Sequence, residues 1–324
     1  MTKPKIYIRA DGNLEIGLGH VIRSLALAEM LKEDFDCIFA TRFLTDYIHT
    51  EALKICVDVI NLPETDGHFD AFLSILPEEA TVVLDNYFFD TDYQIAIKNK
   101  GCKLVCIDDI HDRHFVADVV INHAGGVPNT SYSIAPNTCL YLGTDYALLR
   151  PEFLNRNGKG KGSALLVCLG GADGGNVTLQ ILKLLEDKQF PHQCYVVIGD
   201  AFQSQEDLIE FQQASKLKIA ILKNLTAQEM AHVMFKCNYA ICPPSTVSFE
   251  YLSLRGGELY FKLTADNQND IYAYFVKNRI AFDISELFVL DPLKVQQCIE
   301  TQRKYFDGQS GKRINNIFKS LIIR

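Results

Sequence analysis

The sequence has no block of lysine and arginine, and its formal net charge is −8 with a pI near 5.5. An acidic chain without a basic stripe lacks the electrostatic footprint of a nucleic-acid binder. An anionic small molecule is still open to it, because local backbone dipoles are enough to seat a phosphate. Long hydrophobic runs are also missing: nothing approaches the ~20 apolar residues that a bilayer span needs. The opening Met-Thr-Lys-Pro-Lys leads into a short strand-like run rather than the apolar core of a signal peptide. The expectation is a cytoplasmic protein without membrane attachment. There are ten cysteines but no Cys-x-x-Cys, and none pairs with histidines at a zinc-site spacing. Cys106 in Leu-Val-Cys-Ile and Cys168 in Leu-Val-Cys-Leu lie inside apolar stretches, so buried reduced thiols and no metal are expected. No heptad repeat marks an oligomer, and a monomer is expected.

What the chain does have is 324 residues, 48% of them hydrophobic, enough for two domains that each bury a core. Strand-like runs at Lys5–Ala10, Cys37–Thr41, Val57–Asn61, Thr81–Asp85, Lys103–Asp108 and Asp118–Asn122 alternate with amphipathic segments, the first a helix from about Gly19 to Lys32. The segment Asn155–Gly162, Asn-Arg-Asn-Gly-Lys-Gly-Lys-Gly, reads as a linker. Alternation then resumes with strands at Ser163–Leu169, Gln193–Ile198, Lys218–Leu222, Tyr239–Cys242 and Glu258–Leu263. This pattern predicts an α/β fold of two Rossmann-like domains, 1–155 and 163–324, with parallel sheets whose carboxyl ends face across a cleft. A short amphipathic helix at Ile314–Ile323 closes the chain and could pack back on the first domain.

Three strand–loop–helix junctions carry the chemistry. In the first, Arg9-Ala-Asp11-Gly-Asn-Leu-Glu-Ile-Gly17-Leu-Gly19-His20, glycines allow close backbone approach and His20 opens a helix. The helix dipole there favours neutral imidazole, the form that accepts a proton. A capping or packing histidine is the alternative reading. The dinucleotide fingerprint fails here: Gly17-x-Gly19-x-x-Ile22 lacks the third glycine, and no acid ends the second strand at Ala40-Thr41. No nicotinamide cofactor is expected. The second junction, Gly170-Gly171-Ala-Asp173-Gly-Gly-Asn176, offers Asn176 as an N-cap beside free amides. Two such loops suggest a diphosphate held from both sides. In the third, Pro243-Pro244-Ser245-Thr246-Val-Ser-Phe-Glu250, Ser245 or Thr246 caps a helix and Glu250 could accept from a ribose diol. Asn267 and Gln268 open a further helix with neutral amides. Asp85-Asn86-Tyr87 and Asp108-Asp109 end strands of the first domain, while His111 and His123 are assigned no role.

These segments together resemble the UDP-2,4-diacetamido-2,4,6-trideoxy-β-L-altropyranose hydrolases of pseudaminic acid biosynthesis. The resemblance runs from Arg9-Ala-Asp-Gly-Asn and Ile16-Gly-Leu-Gly-His-Val-Ile-Arg23 through Asp85-Asn-Tyr87, Asp108-Asp109, Asn122 and Tyr146–Phe153. It resumes at Gly170-Gly171-Ala-Asp173, Glu250 and Asn267-Gln268. It implies a GT-B-like fold, a catalytic base at His20, and nucleotide contacts at Gly17, Asn176, Glu250 and Asn267. With Asp11, Arg23, Tyr87, Gly171, Ser245, Thr246 and Gln268, these make the candidate substrate-binding set, with water as co-substrate and no cofactor. Two departures stand out. Pro243-Pro244-Ser245 replaces a glycine-containing turn, and Arg255-Gly256-Gly257-Glu258 replaces a Gly-x-Pro-type ending. A glycosyltransferase of the same architecture, a UDP-sugar 2-epimerase and a non-catalytic sugar-nucleotide binder are the rival readings.

Overall fold

The computed structural model describes residues 3–13, 17–154, 162–170, 173, 175–199, 202–254 and 256–323, the side chains of Asn267 and Ile323 excepted. Most of the expected linker, 155–161, lies outside the described residues. The chain divides into two compact units, Met1–Pro151 with Gln309–Arg324, and Glu152–Gly308.

Unit 1 carries strands β1 (Lys5–Ala10), β2 (Asp36–Thr41), β3 (Asp58–Asn61), β4 (Thr81–Asp85), β5 (Lys103–Ile107), β6 (His114–Phe115), β7 (Val119–Asn122), β8 (Ser133–Ile134) and β9 (Cys139–Leu142). Its helices are α1 (Gly19–Leu31), α2 (Asp46–Leu53), α3 (His68–Ile75) and α4 (Thr91–Asn99). Among the described residues, seven strands form a parallel sheet in the order β3-β2-β1-β4-β5-β7-β9, and β6 pairs with β8 apart from it. The central strands are apolar on both faces because helices cover both: β4 is buried throughout. One core gathers Leu25 and Leu31 of α1 with Ile48 of α2. The other gathers Phe72 of α3 with Ile97 of α4.

Unit 2 carries β10 (Ala164–Val167), β11 (Gln193–Ile198), β12 (Lys218–Lys223), β13 (Cys237–Cys242), β14 (Glu258–Phe261) and β15 (Phe282–Asp283). Its helices are α5 (Val177–Asp187), α6 (Gln205–Ala214), α7 (Ala227–Lys236), α8 (Thr246–Leu254), α9 (Asn269–Lys277) and α10 (Pro292–Tyr305). The strands form a second parallel sheet in the order β12-β11-β10-β13-β14-β15. Each sheet reverses direction beside its first strand, between β1 and β4 in unit 1 and between β10 and β13 in unit 2. Such switch points open a crevice at the carboxyl ends of the strands.

The last helix, α11 (Ser310–Ile323), belongs to unit 1. Its Ile314, Ile317, Phe318 and Leu321 join the α1 core, and Phe318 lies 6.3 Å from Phe35. This placement explains why α1 is buried nearly all round: the sheet covers one side and α11 the other.

The Gly256-Gly257 departure has a packing reason. Gln302 of α10 accepts from Gly257 N at 3.0 Å and donates to the Gly257 and Ile280 carbonyls at 2.8 Å each. A Cβ on Gly257 would overlap the Tyr251 hydroxyl and stand 2.5 Å from the Asn238 carbonyl oxygen. Gly257→Ala is therefore expected to cost about 1–3 kcal/mol, as overpacking does. An unchanged thermal unfolding midpoint would show that the loop relaxes freely.

Candidate active site

The crevice of unit 1 is built on the β1–α1 junction. Gly17 has φ +81°, a conformation only glycine adopts without strain, and its N–H donates to the Asn13 carbonyl at 2.8 Å. The intervening 14–16 lie outside the described residues. The helix then starts at Gly19, with Leu18 in the capping position and no side-chain cap among the described residues.

His20, 6% exposed, places Nδ1 2.8 Å from Oδ1 of Asp85, the fully buried last residue of β4. Parallel pairing sets Asp85 beside Ala10 of β1, which brings the acid under the following helix. Asp85 also accepts from Arg23 Nε at 2.9 and 2.8 Å, from Arg23 Nη2 at 2.5 Å and from the Ser24 hydroxyl at 3.0 Å. Burial opposes its ionisation, but Arg23 and then His20 outweigh that and hold the carboxyl well below its ordinary range. An ionised carboxylate only accepts, so the 2.8 Å approach is attractive when Nδ1 carries the proton. Nε2 is then the basic nitrogen. Arg23 Nη2, 3.0 Å from Nδ1, shares the same carboxylate oxygen rather than competing for the ring.

Arg23 and Asp11 do different work from that expected of substrate contacts. Arg23 is buried, with Nε and Nη2 on Asp85 and Nη1 on Asp109 Oδ2 at 2.7 Å. It positions the acid behind His20. Asp11 is fully buried and accepts from Arg9, the Thr41 hydroxyl, Arg42 N and Arg42 Nε. Both oxygens are occupied, and the residue locks the β1 and β2 ends together. Tyr87 stands at the rim, 37% exposed, with its ring edge-on to His20 at 4.7 Å.

In unit 2, a cavity of about 680 Å³ opens at the carboxyl ends of β10 and β14, lined by Leu169, Asp173, Val177, Lys262, Thr264 and Asp266 among others. Gly171 lies outside the described residues. Asn176 does not cap α5: its backbone is left-handed at φ +49°, and no cap bond comes from its side chain. The Asp173 carboxylate caps instead, accepting from Val177 N at 2.9 Å and Thr178 N at 2.8 Å. A carboxylate reaches the first helical amides more favourably than a neutral amide would.

At α8, the Ser248 hydroxyl donates to the Ser245 carbonyl at 2.7 Å, and Thr246 is the first helical residue. Glu250 is buried on this helix. Burial pushes the Cys168 thiol up to about 11, and the Glu250 charge adds to the rise. The same charge reaches Cys242 at the end of β13. Gln268 turns inward: its Oε1 accepts from Thr264 N at 2.9 Å, and its Nε2 donates to the Thr264 hydroxyl at 3.0 Å. It closes its own turn rather than offering a free amide. The backbone of Asn267 shares that turn.

Sequence reasoning placed Asp85 at a strand end but missed it as the partner of His20. The available signal was an acid closing the strand next to β1 across the switch point.

Two buried histidines in unit 1 make its stability pH-dependent. His68 is pushed down to about 4 by burial, then by Arg9 and Arg42; His123 is pushed down to about 4 by burial, then by Arg23. In the unfolded chain both titrate near 6.5. Between about pH 7 and 4 the unfolded chain therefore binds protons that the folded unit refuses. Stability falls with pH across that window, by up to about 1.4 kcal/mol per pH unit for each histidine. Below it, the depressed carboxyls of Asp11 and Asp85 continue the loss. Urea midpoints at pH 7, 5.5 and 4 test this, and a flat profile from 7 to 5 would refute it.

No protein-family model matches the chain. An uncharacterized protein of Methanocaldococcus jannaschii is 29% identical over 323 residues, covering 95% of this chain and 64% of that protein, so the chain spans less than two thirds of that relative. The UDP-2,4-diacetamido-2,4,6-trideoxy-β-L-altropyranose hydrolase of Campylobacter jejuni is 26% identical over 259 residues, 78% of this chain and 89% of that enzyme. Among solved structures, a UDP-glucosyltransferase from Polygonum tinctorium superposes with TM-score 0.68 at 12% identity, over 99% of this chain and 98% of that one. MurG of Acinetobacter baumannii gives 0.61 at 14% identity, over 98% and 99%. Identities this low speak to architecture alone, and the fold is that of the GT-B glycosyltransferases, two Rossmann-like α/β domains with parallel sheets.

Proposed function

We propose that this protein is a cytoplasmic enzyme of sugar biosynthesis that hydrolyses a UDP-linked diacetamido-trideoxyhexose to UDP and the free sugar. The sugar-nucleotide hydrolase among its relatives supports the substrate class. The observation that carries the reading is the His20–Asp85 pair, with Nδ1 held 2.8 Å from a buried carboxylate. Nε2 takes a proton from water as the oxygen attacks the anomeric carbon, and the C1–O bond to UDP breaks on the opposite face. This is the base half of an inverting glycosidase. The diphosphate leaves as a stable anion, so no strong general acid is called for. Asp85 keeps the proton on Nδ1 and supports the imidazole as it gains charge.

Unit 2 takes the nucleotide, and Glu250 accepts from the ribose diol. Because Asp173 already occupies the first amides of α5, the diphosphate is assigned to the start of α8 at Ser245 and Thr246. The enzyme works as a monomer, and no metal takes part.

His20→Asn is expected to lower kcat by about 100- to 10,000-fold while leaving the Kd for UDP unchanged. Asp85→Asn loses the tautomer lock and falls within a similar range. Phosphorus NMR with UDP-2,4-diacetamido-2,4,6-trideoxy-β-L-altropyranose, no metal added, reads both variants. Full activity in His20→Asn would remove the base from the mechanism. UDP release only when an acceptor alcohol is supplied would make the protein a transferase.

A further inference from the structure

Arg42 follows β2 at the carboxyl edge of the unit 1 sheet, and one side of its guanidinium is fixed. Its backbone N–H donates to Asp11 Oδ1 at 2.8 Å and its Nε to Asp11 Oδ2 at 2.6 Å. The guanidinium lies over Phe88 at 4.8 Å and Phe43 at 5.1 Å. Its two terminal amino groups make no hydrogen bond to the described residues, and the side chain retains 15% exposure. A planar fork is thus held rigid with its outer edge unspent.

One loop links the fork to His20. Asn86, Tyr87 and Phe88 are consecutive residues after β4. Asn86 Oδ1 accepts from Asp11 N at 2.6 Å, Tyr87 meets the His20 ring at 4.7 Å, and Phe88 stacks on Arg42. One short loop therefore touches the base on one side and the fork on the other. In the bonded cluster itself, Arg9 and Arg42 supply two positives against the one negative of Asp11, and His68 is held neutral, with Asp66 a further negative acting on His68.

We propose that Arg42 is a specificity-determining residue of the His20 site, whose terminal amino groups take the carbonyl-type oxygen of an N-acyl or carboxyl substituent on the sugar ring. Arginine suits this role because its fork matches planar oxygen acceptors and its charge is permanent. The inference rests on the sugar-nucleotide reading above and adds the group on the sugar that the site selects.

Binding tests it separately from turnover. UDP-N-acetylglucosamine, UDP-glucuronate and UDP-glucose are titrated calorimetrically into the wild type, Arg42→Gln and Arg42→Lys, with UDP as the reference ligand. We expect the amide- or the carboxylate-bearing sugar to bind roughly 10- to 100-fold tighter than UDP-glucose in the wild type, the range for a hydrogen bond to a charged group. Which of the two leads identifies the substituent. That advantage should vanish in Arg42→Gln while the Kd for UDP stays the same. If Arg42→Gln unfolds below the assay temperature, Arg42→Lys is read in its place, since it keeps the charge without the fork. A wild type that does not discriminate, or a variant that keeps the wild-type ratio, overturns the proposal. Absence of hydrolysis of UDP-2,4-diacetamido-2,4,6-trideoxy-β-L-altropyranose alongside the expected ratios would sink the hydrolase reading and leave the Arg42 assignment standing.

Discussion

The buried carboxylate of Asp85 is the constraint on which the rest of unit 1 depends. Removing such a charge from water costs several kcal/mol unless it is paired and fully hydrogen-bonded. Arg23 supplies the pairing through two nitrogens, and His20 and Ser24 satisfy what remains. Arg23 is itself buried and needs more than one acceptor for its N–H groups, which Asp109 supplies at 2.7 Å. The β1–β4 register sets Asp85 beside Ala10, and α1 carries His20, Arg23 and Ser24 over it within two turns. The orientation of His20 thus follows from the cost of burying a charge. Loss of any member would strand another one.

The two units share a strand order but use the start of their first crossover helix differently. In α1 the capping position is Leu18, with no side-chain cap, so the helix start can serve an outside acceptor. In α5 the chain supplies its own anion, Asp173, to Val177 and Thr178. A helix N-terminus attracts negative charge in both cases. In α5 that charge comes from within the chain, while among the described residues α1 has no side-chain cap, a difference the glycine pattern common to the two loops does not show.

The fold was legible because alternation in both halves is strong and local. β1, β4 and β11 fall at their expected bounds, and the other expected strands differ by a residue or two at their ends. Cys139–Leu142 went unread because it is a half-buried edge strand after a polar, proline-containing stretch. Phe282–Asp283 went unread because two residues carry no period. His20 was legible as a candidate because a glycine loop opening a helix is a local signal. Its partner was not, since Asp85 lies 65 residues away and only sheet register brings the two together. The same limit hides the partners of Asp11, Arg23 and Gln268. Their residue types suit ligand contacts, but sequence does not show the neighbours that hydrogen-bond to them in the fold.

Asn86, Tyr87 and Phe88 join two buried charge networks of opposite balance. On the β2 side, Arg9 and Arg42 outnumber Asp11 by one. On the β5 side, Asp85 and Asp109 outnumber Arg23 by one, before His20 is counted. In a low-dielectric crevice such an imbalance acts over several ångströms. In the proposed reaction, positive charge gathers at the anomeric carbon and on the imidazole that accepts the proton. Both fall on the side with a surplus negative charge, while a carbonyl or carboxylate on the sugar is drawn toward the surplus positive one. The field would therefore orient the sugar before any single hydrogen bond forms. It would also do so without reorganisation during the chemical step, because the charges that generate it are already held in ion pairs.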